Sequence, residues 1–81
     1  MTVNRSNAAT IRRKLRLARK QGLGSQSAIA KLARVDRSRL SLFENGHVEL
    51  SDVQLESVGR AIDHAALLRV IAMLRAIARN E

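Results

Sequence analysis

Apolar residues recur along most of this chain at helical intervals, and capping residues and glycines, never proline, separate the runs. Ala8, Ile11, Leu15 and Ala18, spaced 3, 4 and 3, make one face of a helix running from Asn7 or Ala8 to about Lys20. Ser6 or Asn7 caps its start and Gly22 ends it. Ser25 caps a second helix, Gln26 to about Ala33, with Ile29 and Ala33 inward and Ala30 small where a neighbour packs closely. After a turn at Arg34-Val35, Asp36 caps a third helix, roughly Arg37 to Glu44, whose Leu40 and Phe43 point to the core. Asn45-Gly46 stops it. A loop from His47 to Leu50 leads to Ser51 and Gln54, a capping box. The fourth helix runs to about Ile62 with Val53, Leu55, Val58 and Ile62 apolar. A last helix, about His64 to Arg79, sets Val70, Ile71, Leu74, Ile77 and Ala78 on one face with Leu67, which Met73 widens. Leu68 and Ala72 lie toward the other side, near Arg75 and Arg79. The pattern thus predicts an all-α chain of five helices in three parts: a polar arm over 1–7, a domain over 8–63, and a C-terminal helical segment over 64–81. That segment is expected to pack on the core and to dimerise, because its apolar surface exceeds what so small a core covers.

Composition narrows the class. At 81 residues the chain makes one modest core, and 46% apolar with 27% charged residues is an ordinary folded balance. A single aromatic, Phe43, leaves that core aliphatic. The absence of cysteine removes disulfides and thiolate metal sites, in keeping with a reducing compartment. With no signal-like apolar run at the N-terminus and no span-length run elsewhere, the expected location is cytoplasmic.

Charge changes the picture most. The net charge is +8 and the pI about 11.7, which favours an anionic partner. The first twenty-two residues carry Arg5, Arg12, Arg13, Lys14, Arg16, Arg19 and Lys20 with no acid. A solvated helix face normally mixes signs, so this one favours phosphate contact. Between Val48 and His64 stand Glu49, Asp52, Glu56 and Asp63 against Arg60 alone, an acidic quarter expected to face away from that partner. A membrane surface is the poorer partner, since the first helix lacks Trp or Phe anchors.

Catalytic chemistry finds little footing. His47 and His64 are not at ligand spacing and no paired carboxylate joins them, so no metal or other cofactor is expected. No motif marks an activated nucleophile, and Gly22-Leu23-Gly24 lacks the Gly-Lys-Ser/Thr ending of a phosphate loop. The chain does not read as an enzyme. Two short helices joined by a tight turn, the second presenting polar and basic residues, follow instead the plan of a helix-turn-helix DNA reader.

Ser25-Gln26, Ala30, Val35, Arg37-Ser38 and Phe43-Glu44-Asn45-Gly46 closely resemble the Cro/Xre, lambda-repressor-like family of helix-turn-helix regulators. The likeness covers roughly residues 8–63. It implies a compact five-helix lambda-repressor-like domain with the motif in helices 2 and 3, and many members carry a fifth, often dimerising, helix. It further implies that Gln26 and Asn45 clamp the DNA backbone. Two departures stand out: the family usually has Gly at the turn where Arg34 stands, and Leu32-Ala33 replaces a polar-then-large-apolar order. A non-Gly residue in a left-handed conformation costs about 1 kcal/mol.

The residues themselves divide into those that position and those that specify. Arg37, Ser38, Ser41 and Leu42 are the exposed positions of the third helix: Arg37 suits a bidentate guanine contact, and Leu42 suits a thymine methyl. Arg39, on the flank, joins Arg12, Arg16 and Arg19 as a phosphate contact. The expected interface between copies is Leu67, Leu68, Ile71, Leu74 and Ala78. The expected function is a sequence-specific, dimeric transcriptional regulator, a repressor or autoregulator, on a palindromic duplex operator. The alternative is the antitoxin half of a toxin–antitoxin pair, which binds a partner protein as well as its own operator.

Overall fold

The computed structural model describes residues 7–80; the expected arm, with Arg5, lies outside the described residues except for Asn7. Four helices follow in order: α1 (Ala8–Lys20), α2 (Gln26–Ala33), α3 (Arg37–Glu44) and α4 (Asp52–Arg79). No strand occurs among the described residues. Each helix starts at a capped position. Asn7, Ser25, Asp36 and Ser51 accept from the backbone N–H three residues on, and Gln54 completes the box by accepting from Ser51 N–H at 3.0 Å.

The five-helix lambda-repressor-like architecture is corrected to four helices, because the expected fourth and fifth are one 28-residue helix. Asp63-His64 interrupts the apolar pattern but not the backbone. No glycine or proline lies between Ala61 and Leu68, and the alanines and leucines there are strong helix formers. The expected domain boundary at residue 63 therefore falls inside α4. At 1.5 Å per residue α4 is about 42 Å long, close to the 47 Å long axis of the molecule.

α1, α2, α3 and the first half of α4 enclose the core. Ile11, Leu15, Ile29, Leu40, Phe43 and Val58 are fully buried, with Leu55, Ala61 and Ile62 completing the α4 side. Ala65 is the last buried residue of α4. Beyond it the helix leaves the core, contrary to the expectation that 64–81 pack on it: Leu67, Leu68, Val70, Met73, Leu74 and Ile77 are all at least half exposed. Val53, one of the four apolar residues noted in the expected fourth helix, is exposed as well.

α1, α2 and α3 end in the same way. Leu23 N–H reaches Ala18 O at 2.8 Å and Gly22 N–H reaches Arg19 O at 3.2 Å. The corresponding pairs are Val35 to Ala30 at 3.0 Å with Arg34 to Lys31 at 3.2 Å, and His47 to Leu42 at 2.8 Å with Gly46 to Phe43 at 3.0 Å. This paired closure needs one left-handed residue. Gly22 and Gly46 supply it at φ 69° and 82°, but in the motif turn Arg34 does, at φ 59° and ψ 41°. The turn thus keeps the left-handed geometry with a side chain that disfavours it.

Replacing Arg34 with Gly is expected to raise stability by about 0.5 kcal/mol, the left-handed penalty of about 1 kcal/mol less the entropy gained by the unfolded chain. For a domain of this size that is roughly 2–4 °C in melting temperature. A thermal melt checks it; an R34G variant that melts lower contradicts the strain at this turn.

Candidate nucleic-acid interface

α3 owes its outward face to its inward one. Leu40 and Phe43 are fully buried, which fixes the rotation of an eight-residue helix and turns Arg37, Ser38 and Leu42 to solvent with Ser41 at the edge. Arg37, Ser38, Ser41 and Leu42 line an open depression of about 440 Å³, and Gln26 from the first turn of α2 closes one side of it. All four expected base-reading residues therefore share one surface with one of the expected backbone clamps. The Arg37 side chain makes no hydrogen bond or ion pair among the described residues, whereas Arg39 donates to Glu49 O at 3.1 Å on the flank. Asn45, the other clamp, is the C-cap of α3 and donates from Nδ2 to Ser41 O at 3.0 Å.

Three arginines of α1 hold partners within the chain. Arg12, Arg16 and Arg19 each follow a core residue of the stripe Ile11, Leu15, Ala18, so they border the buried face and point toward the end of α3. Arg12 donates from Nε to Phe43 O at 2.7 Å, and from Nη2 to Val48 O at 3.2 Å and Glu49 Oε2 at 3.1 Å. Its guanidinium also lies 4.5 Å from the centre of the Phe43 ring. With a side chain only 21% exposed, Arg12 acts as a strut between α1 and the end of α3, and less of its guanidinium faces solvent than that of Arg19, whose side chain is 43% exposed. Arg16 donates to Glu44 O at 3.1 Å while remaining exposed. Cations on the last carbonyls of α3 also complement the negative end of its dipole.

Sequence reasoning missed the most constrained group here, the carboxylate of Glu44. Its side chain is 7% exposed, and Arg19 Nη1 lies 2.6 Å from both of its oxygens. Gln26 Nε2 adds a hydrogen bond to Oε1 at 3.1 Å. One acid thereby ties α1, α2 and α3 together. The available signal was its place four residues after Leu40, which puts a charge on the buried face of α3 opposite an all-basic helix. Gln26 is thus a joint as well as a wall of the depression. A second hollow, of about 280 Å³, is lined by Arg16, Arg19, Lys20 and Glu44.

The acidic quarter does not simply turn its back. Glu49 pairs with Arg12, Asp63 with Lys14 at 3.4 Å, and Glu56 with Arg60 at 3.6 Å. Arg13, Lys20, Lys31, Arg34 and Arg37 keep side chains without ion pairs among the described residues, and so do Arg69, Arg75 and Arg79 in the exposed half of α4, so unneutralised charge flanks the α3 surface and recurs at the far end of the molecule. No group of three metal-ligating side chains occurs among those residues. Comparison of the chain with family models, curated proteins and solved structures gives no match.

Removing Arg19 leaves a buried carboxylate with only Gln26 as partner. Arg19→Met is expected to cost about 1–3 kcal/mol, below the range for a fully buried pair because the Arg19 side chain is 43% exposed. Arg37→Ala, on the same surface but tied to nothing, should stay within about 0.5 kcal/mol of the parent. Urea unfolding of both variants checks this; equal losses would contradict the division between joint and free surface.

Proposed function

We propose that the chain is a sequence-specific DNA-binding transcriptional regulator, a repressor or autoregulator, that acts as a pair of copies with α3 in the major groove. The observation that carries this reading is the convergence of Arg37, Ser38, Ser41 and Leu42 with Gln26 on one open surface beside uncompensated positive charge. Arg37 has the planar fork that matches guanine O6 and N7, and Leu42 offers an apolar contact for a thymine methyl. Gln26 at the N-terminus of α2, Asn45 and Arg39 hold phosphates and set the register. Arg16 and Arg19 add charge at the edge while anchored at the end of α3. Among the described residues no helix is long and apolar enough to cross a membrane. The place of work is the DNA-containing cytoplasm.

The uncovered half of α4 also fits an antitoxin that grips a partner protein. A second small protein copurifying with the chain would replace the two-copy regulator with that reading.

Selection from a random duplex pool is expected to enrich inverted half-sites about 34 Å apart, one helical turn. On the selected duplex, Arg37→Ala should lose about 1–3 kcal/mol of affinity and relax one base position. Arg39→Ala should weaken all duplexes evenly and lower the salt slope by about one. A pool that shows no enrichment contradicts the proposal.

A further inference from the structure

The exposed half of α4 carries an apolar seam that is not the continuation of its core face. At 100° per residue, Leu55, Val58, Ile62 and Ala65 lie on one side of the helix, and this side continues through Arg69, Ala72 and Ala76. Leu67, Val70, Ile71, Leu74, Ile77 and Ala78 lie on another, with spacings of 3, 1, 3, 3 and 1, a two-heptad seam without a charge in it. Leu68 falls outside that seam: it lines a separate depression with Leu23, Gly24 and Leu32, so it is removed from the expected interface.

We infer that this seam is filled by the α4 seam of a second copy of the chain, running antiparallel. The pairing rests on the two-copy part of the reading above but on none of its DNA contacts. Three observations select this occupant. Leu67, Val70, Leu74 and Ile77 of the seam are half or more exposed, as is Met73 at its edge, and Ile71 is about a third exposed, giving on the order of 500 Å² of apolar surface per copy. A symmetric pair then removes about 1,000 Å², the lower bound for a specific interface. Antiparallel layers set Leu67 opposite Ile77 of the second copy and Val70 opposite its Leu74, closing the seam with aliphatic residues alone. Parallel pairing instead runs the same positions backward into Asp63 facing Asp63 and Arg60 facing Arg60.

Charge supplies the third observation. From Asn7 to Leu50 the chain holds ten basic and three acidic residues, a net +7. Parallel pairing brings two such heads side by side, whereas antiparallel pairing about Ala72 separates them by roughly 40 Å along the helices, several screening lengths. The opposed helix dipoles favour the same arrangement.

The chain has no cysteine, so Leu67→Cys and Ile77→Cys each place a single thiol in the seam. Under mild oxidation the mixed variants are expected to form a disulfide-linked heterodimer that neither forms alone. Each variant crosslinking to itself, with no mixed product, would mean a parallel pair and overturn the inference. Light scattering of the parent should give twice the chain mass, and Leu74→Asp should give a monomer of unchanged helical content, because Leu74 touches no core. A monomeric parent overturns the inference, including one that sediments with anionic phospholipid vesicles and so uses the seam on a membrane. A Leu74→Asp variant that stays dimeric overturns it too.

Discussion

The buried carboxylate of Glu44 is the constraint on which the working surface depends. α3 is two turns long, and so short a helix has little stability of its own. Its inward face is held by Leu40 and Phe43, and polar contacts add to that hold at its C-terminal end. Arg19 and Gln26 on the carboxylate, with Arg12 and Arg16 on the last carbonyls, fix that end against both preceding helices. A buried ion is costly unless paired, so this arrangement adds orientation more than net stability. What it orients is the row Arg37, Ser38, Ser41 and Leu42, whose usefulness depends on a definite angle to the rest of the molecule.

α4 joins two different tasks in one rod. Its first half completes the core through Leu55, Val58 and Ile62; its second half carries an apolar seam rotated away from that core. Because the backbone is continuous through Asp63-His64, whatever the seam binds is held rigidly relative to the α3 surface. A flexible linker there would let two heads sample many separations, whereas an unbroken helix fixes one. This coupling connects the proposed pairing mode to the spacing of sites that two copies address.

Much of the fold was legible because its punctuation is local. Asn7, Ser25, Asp36 and Ser51 cap helices by side chains three residues from their partners, and Gly22 and Gly46 end them by their own backbone freedom. Even the discomfort of Arg34 was visible, since a turn of that length demands a left-handed residue whatever occupies it. The union of the last two helices was not legible, because a break in apolar periodicity resembles a break in the helix when no glycine or proline marks either. The split among the basic residues of α1 was also hidden. Arg12, Arg16 and Arg19 differ from Arg13 and Lys20 only in lying beside the core stripe, and the partners that decide their role are 25 to 37 residues away. The row on α3 was legible, being the simple complement of Leu40 and Phe43; Glu44 was not, because its partners come from two other helices.

The proposed site of DNA contact is the surface formed by α3 and the head of α2. Its most direct test is titration of a short duplex into isotopically labelled protein at low salt, following the backbone amide resonances. The shifts are expected to concentrate at Gln26 and Ser27 and from Arg37 to Leu42, with the exposed half of α4 little changed. Shifts concentrated instead around Arg69, Arg75 and Arg79, with α3 silent, would contradict it.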